Sequence, residues 1–203
     1  LAKFRESFIR EVDFVAVDEW NEETFDELDV LMVRPTQYFE GYEFGFTENE
    51  AKLAGKFVNS GGGLLFIGSN GVPDDYTILL DQFDVGFKPG IVKNPDGYGI
   101  DYATRRETHE ITQTTPKIGH TGPSYAVDPP DDATVLYEYP EGEEIWRNTC
   151  GSNDEPCGPD AGGEPLSVMF PHGRGTVMVH SSDRELSSNI LNGDFTEPRS
   201  EER

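Results

Sequence analysis

The chain has 203 residues, with 39 acidic against 16 basic side chains and a formal net charge of -23. That length suffices for one domain with a real core, or a domain carrying an elaborated insertion. Nucleic acid is excluded as a natural partner because no basic cluster exists to meet phosphates, and no apolar run approaches the roughly 18 residues of a membrane span.

In chain order, "LAKFRESFIRE" (1–11) places Leu1, Phe4, Phe8 and Ile9 on one helical face. "DFVAVD" (13–18) reads as a short strand and "EETFDEL" (22–28) as a short helix. "DVLMV" (29–33) is a continuous apolar run, as expected of a strand covered on both faces, and Pro35 ends it. The aromatic, Gly-rich "RPTQYFEGYEFGF" (34–46) reads as a loop. Thr47 with Glu50 forms a capping box, opening a helix whose Leu53, Ala54, Phe57 and Val58 share a face. Gly61 to Gly63 stop that helix, and "LLFIG" (64–68) is the next buried strand. This strand–helix–strand alternation predicts a parallel sheet with right-handed crossovers.

Beyond residue 72 the pattern changes. "DDYTILLDQF" (74–83) fits a helix, and residues 84–147 read as short strands, "PGIVKN", "GYGIDYA", "PSYAVD" and "ATVLYEY", between Gly and Pro. Two β-rich runs then flank "PHGRG" as a hairpin, and "RELSSNILN" closes the chain as a helix. The expected fold class is α/β: a flavodoxin-like parallel sheet flanked by helices, with a β-rich extension and a C-terminal β-hairpin plus helix. All of residues 1–203 form a single domain in this reading, with the extension and a Cys-containing loop at 84–165.

Two explanations compete for the acidity. A disordered tail predicts one acidic block and few aromatics. Here the acids are spread along the chain, and it holds 13 Phe, 8 Tyr and 2 Trp, which favours a folded halophilic protein. Concentrated salt shortens the Debye length to about 3 Å at 1 M and screens the self-repulsion. Cys150 and Cys157 lie seven apart in "NTCGSNDEPCGPDAGG", a loop able to fold back and pair them. A disulfide is the preferred reading, against two free thiols, and it would point outside the cytoplasm. Zinc is disfavoured by the spacing and by the lack of a nearby His.

Taken together and in order, "DVLMVRPT", "FTENEAKLAGKFVNSGGGLLFIGSNG", "LLDQFDVGF", "HEIT", "ATVLYEY" and "GRGTVMVHSSDRELSSNIL" resemble the class I glutamine amidotransferase-like superfamily. The match is to its non-catalytic branch, which includes trehalose-utilisation-like proteins and uncharacterised archaeal and bacterial domains, and it covers most of residues 12–195. The family's first strand would precede residue 1, and the Cys-containing segment looks like an insertion. The chain starts at Leu1 without a visible signal peptide, as a mature or truncated product would.

The resemblance also implies a site. Active members carry a Cys nucleophile just after the strand equivalent to "LLFIG", where this chain has Ser69, and a His-x-Glu motif after the last central strand, where it has His180-Ser-Ser-Asp183. A degenerate Ser69, His180, Asp183 set would gather at the carboxyl ends of neighbouring strands, where open α/β sheets place their ligand crevice. Against catalysis, Ile67 replaces the Gly of a nucleophile elbow. Asp18 and Glu19 would share the rim as paired carboxylates, and Arg34, directly after "DVLMV", suits an anionic ligand. Thr36, Asn70 and Ser181 complete the expected ligand rim. His109 and His120 carry no metal-ligand spacing, and "NPDGYGIDYA" departs from the EF-hand pattern. The expected function is a non-catalytic ligand-binding or protein-interaction module of a larger, extracytoplasmic or cell-surface protein, without cofactor or metal and with an unknown protein or small-molecule partner. Two alternatives remain open: a serine hydrolase or amidotransferase-like enzyme using Ser69, His180 and Asp183, and a carbohydrate-related binder or enzyme.

Overall fold

The computed structural model describes residues 20–34, 45–68, 74–88, 91–93, 101–113, 115–120, 125–141, 144–146 and 162–181. The expected helix at 1–11, the strand at 13–18, the closing helix and the Cys150–Cys157 loop lie outside them.

Helix α1 (Glu22–Asp26) is one turn long and starts where Asn21 accepts the Thr24 N–H at 2.9 Å. So short a helix does not persist by propensity. Phe25 anchors it, 6% exposed and in ring contact with Trp20 and Phe57. Strand β1 (Val30–Val33) follows. Leu31 and Val33 are buried while Val30 is 56% exposed, so this strand is covered on one face, not on two.

Helix α2 (Glu48–Asn59) opens on the capping box. Glu50 Oε2 accepts the Thr47 N–H at 2.8 Å, and Thr47 Oγ1 accepts the Glu50 N–H at 3.3 Å. Its buried stripe is Ala51, Ala54, Phe57 and Val58, with Leu53 at the margin. The helix ends where Gly61 takes φ 119, a conformation that costs glycine least, and its N–H reaches the Val58 carbonyl at 2.9 Å. Strand β2 (Gly63–Ile67) then pairs parallel with β1, Leu31 opposite Leu64 and Val33 opposite Phe66.

Helix α3 (Asp74–Leu80) runs on into a 3-10 turn, Asp81–Phe83. The strands that follow are β3 (Gly86–Phe87), β4 (Ile91–Lys93), β5 (Asp101–Arg105), β6 (Lys117–His120), β7 (Val127–Asp128), β8 (Thr134–Glu138) and β9 (Glu144–Trp146). Strands β10 (Pro165–His172) and β11 (Gly175–His180) form the expected hairpin across Gly173-Arg174. Seven strands make one sheet in the order β1-β2-β11-β10-β8-β5-β6, and β3–β7 and β4–β9 form two small antiparallel pairs.

The molecule is therefore α/β, but its main sheet is mixed. Only β1, β2 and β11 run parallel; β10, β8, β5 and β6 are joined by antiparallel pairing. The cause is connection length. A parallel neighbour needs a crossover of a dozen residues or more, which α2 supplies between β1 and β2. A two-residue turn joins β10 to β11, so those two must be antiparallel. Among the described residues three helices and one 3-10 turn accompany the sheet, and strand predominates.

Side-chain alternation divides the burial between two cores. Leu31, Val33, Leu64, Phe66, Val177 and Val179 face α2 and α3, packing with Phe57, Val58, Leu79 and Phe83. The second core gathers Val92, Ala103, Ala126, Leu136, Tyr137, Tyr139 and Leu166, with Met169 and Met178 at its margin.

Candidate functional site

The parallel trio fixes which residues meet. Along β1, β2 and β11 every carboxyl end points the same way. Ile67 is opposite His180 in β11, and His180 is opposite Ser167 in β10. Arg34, one residue past Val33, continues the β1 register to the level of Ile67. Adjacent strands lie about 4.8 Å apart and side-chain direction alternates along each. Ile67, His180 and Ser167 thus form one row across β2, β11 and β10 on the face turned away from α2, and Arg34 follows the last paired residue of β1 at the same end of the sheet.

Burial changes steeply across this end of the sheet. Arg34 is exposed, whereas Ile67, His180 and Ser167 are 2%, 8% and 0% exposed. A step further on, the backbone closes up. The Gly68 N–H donates to the His180 carbonyl at 2.7 Å. A Cβ on Gly68 would stand 2.5 Å from the Ser181 carbonyl oxygen, so only glycine fits there. The Ser181 N–H donates to the Leu166 carbonyl at 3.0 Å. Tyr139 donates its hydroxyl to the Tyr125 carbonyl at 3.3 Å and shares a 3.0 Å hydrogen bond with the Ser181 hydroxyl.

Ser167 breaks the pattern of satisfied polar groups. Its Oγ is buried and has no hydrogen-bond partner among the described residues. Leaving a hydroxyl in that state costs about 1–3 kcal/mol. The β10–β8 register also shifts on both sides of Ser167, between Pro165 and Ser167 and again between Ser167 and Val168. Irregularities of this kind re-aim side chains and are enriched beside functional sites.

Of the expected rim, the described residues thus bring Arg34, His180 and Ser181 to one edge. Asp18, Glu19, Thr36, Ser69, Asn70 and Asp183 lie outside them, as do Cys150 and Cys157. His109 serves its own turn, its Nδ1 accepting the Ile111 N–H at 3.3 Å. His120 ends β6, four strands from β11. No group of His, Cys, Asp or Glu among the described residues is placed to hold a metal ion. Sequence reasoning missed Ser167 and Tyr139. Ser167 lies inside an apolar run, and its relation to His180 exists only through hairpin register.

A groove of about 460 Å³ sits at the other end of the trio, where β1 and β2 begin. Leu28 and Leu53 line it together with Glu22, Asp26, Asp29 and Lys56, and Lys56 is paired to Glu22 at 3.2 Å. The amino end of the trio is thus acidic.

No family model matches the chain, and no curated protein matches it in sequence. Its fold is similar to that of the solved structure of the mmIFT52 N-terminal domain, with a TM-score of 0.58 and 16% identity over 86% of this chain and 75% of that one. It is similar also to the cytoplasmic protein STM1381 from Salmonella typhimurium LT2, with a TM-score of 0.53 and 20% identity over 86% of this chain and 69% of that one. At such identities the likeness is one of fold alone.

Proposed function

We propose that this chain is a non-catalytic module that binds a ligand or partner at the carboxyl edge of its parallel strands. The observation that carries the reading is the crowding at Gly68. Its N–H is committed to the His180 carbonyl, and the Ser181 backbone fills the space beside it. A serine nucleophile at residue 69 would need a base within about 3 Å and free backbone donors for an oxyanion. The Ser181 hydroxyl, next to His180, is tied to Tyr139.

The β1-β2-β11 trio with α2 is, in this reading, the core of a flavodoxin-like arrangement of the amidotransferase-like superfamily. The antiparallel strands are the β-rich extension. The same proposal takes the protein to be halophilic, extracytoplasmic and closed by a Cys150–Cys157 disulfide, on the motivation of the dispersed acids and the short Gly/Pro-rich loop.

A fluorophosphonate probe separates this reading from the hydrolase alternative. The folded full chain is expected to remain unlabelled at Ser69 by mass spectrometry. Labelling that His180→Ala abolishes would reinstate a working nucleophile.

A further inference from the structure

We infer that the sheet face turned away from α2 is a docking surface for the chain's own residues 184–192, which lie across it as a helical strap with Leu186 and Ile190 seated on Leu65 and Met178. The inference goes beyond the ligand reading of the carboxyl edge and does not depend on it.

Strand register sets the surface. Two residues back from the row of Ile67, His180 and Ser167, a second row runs Met32, Leu65, Met178, Met169 across β1, β2, β11 and β10. The chain holds three methionines, and all three stand in this row. Met169 and Met178 pack at the margin of the second core, whereas Met32 and Leu65 belong to neither core. Unbranched, polarizable methionine side chains fit irregular apolar partners, which suits a face that receives a separate segment.

Burial on this face falls with distance from the carboxyl edge. Ile67, His180 and Ser167 are buried, Leu65, Met178 and Met169 are half-buried, and Thr176 and Pro171 are exposed. Ile67 is 2% exposed although neither core includes it. A cover that enters at the carboxyl edge and ends part of the way down the strands produces this gradient.

The place where the chain leaves β11 names the occupant. β11 lies between β2 and β10, and its Val177 and Val179 are sealed on the opposite face within the core built with α2 and α3. Two residues separate Ser181 from Arg184, so an apolar segment starting there meets the Leu65–Met178 face first. Ser182 and Glu185 have the spacing of a capping box, Gly193 is a glycine stop, and Leu186 and Ile190 are four apart on one side. The nine residues of "RELSSNILN" make a helix about 14 Å long. From His180 back to Thr176 along β11 is about 13 Å, so the strap ends where exposure begins.

A photoreactive diazirine analogue of methionine, incorporated into the full chain, tests this without altering the strap. On irradiation, Met178 and Met32 are expected to cross-link within one chain to residues 184–192, and Met169 to the second core. Cross-links from Met178 and Met32 to residues 1–11 alone, to a second copy, or to no segment would each overturn the inference. Leu186→Glu with Ile190→Glu is expected to make Met178 and Met32 oxidise several-fold faster in hydrogen peroxide, and unchanged rates would also overturn it. Ile190→Ala is the milder variant, expected to lower the melting temperature by roughly 5 °C or more as a buried aliphatic truncation does. An unchanged melting temperature would place Ile190 in solvent and remove the strap.

Discussion

Gly68 and Tyr137 illustrate how single residues set this molecule's tolerances. At Gly68 the neighbour is backbone, the Ser181 carbonyl, which has no rotamer to yield. Gly68→Ala is therefore expected to cost roughly 1–3 kcal/mol, the range for overpacking a close-packed site. A urea midpoint equal to wild type would show that the β2 and β11 ends can separate freely. Tyr137 is buried and donates its hydroxyl to the Thr115 carbonyl at 2.8 Å. Burial pushes its pKa above the usual tyrosine value, and nearby Arg105 offsets part of that. The folded form thus holds the phenol proton more tightly than the unfolded chain does. This stability is complete below the unfolded pKa near 10 and is lost as pH rises through the folded value. Tyr137→Phe should lower stability by about 1 kcal/mol at neutral pH and flatten the fall above pH 10. Denaturation midpoints at pH 7 and pH 11 check both.

Among the elements, α2 bears the most on the site, because it is the crossover that makes β1 and β2 parallel. Its start depends on the reciprocal Thr47–Glu50 bonds, and its end on Gly61. Thr47→Ala is expected to cost about 1 kcal/mol, lowering the melting temperature by about 2–4 °C for a chain of this size. An unchanged melting temperature would mean that packing of Ala51, Ala54, Phe57 and Val58 alone holds the first turn. The β10–β11 hairpin is the second decisive element. It inserts β11 between β2 and β10, so that His180 acquires Ile67 on one side and Ser167 on the other.

At the scale of the whole molecule, charge dominates. A net charge of -23 on 203 residues opposes compaction through self-repulsion. The four ion pairs found among the described residues are mostly exposed and contribute little each. Screening by salt is the larger lever, since the Debye length falls from about 10 Å at 0.1 M to about 3 Å at 1 M. The melting temperature is expected to rise steeply between low salt and molar KCl. A flat melting curve over that range would remove the halophilic reading.

What the sequence determined by itself was local. The Thr47–Glu50 box, the glycine stop after α2, the apolar runs of β1 and β2, and the turn in "PHGRG" follow from capping chemistry, backbone freedom and side-chain period. Each acts within a few residues, and each stands in the structure. The short strands β3, β6 and β9 escaped notice because two to four residues of mixed polarity carry too little periodicity to register. Sheet direction and strand order were decided only in three dimensions. An apolar run reads the same whether its neighbour is parallel or antiparallel, so strand–helix–strand alternation over residues 29–68 pointed to a parallel sheet that β10 and β8 do not continue. The site divides in the same way. That Arg34 and His180 stand at the ends of neighbouring strands was legible because strand ends can be located from the sequence. Ser167 was not, because its register opposite His180 and its unsatisfied hydroxyl arise only when the hairpin closes and the second core packs over it.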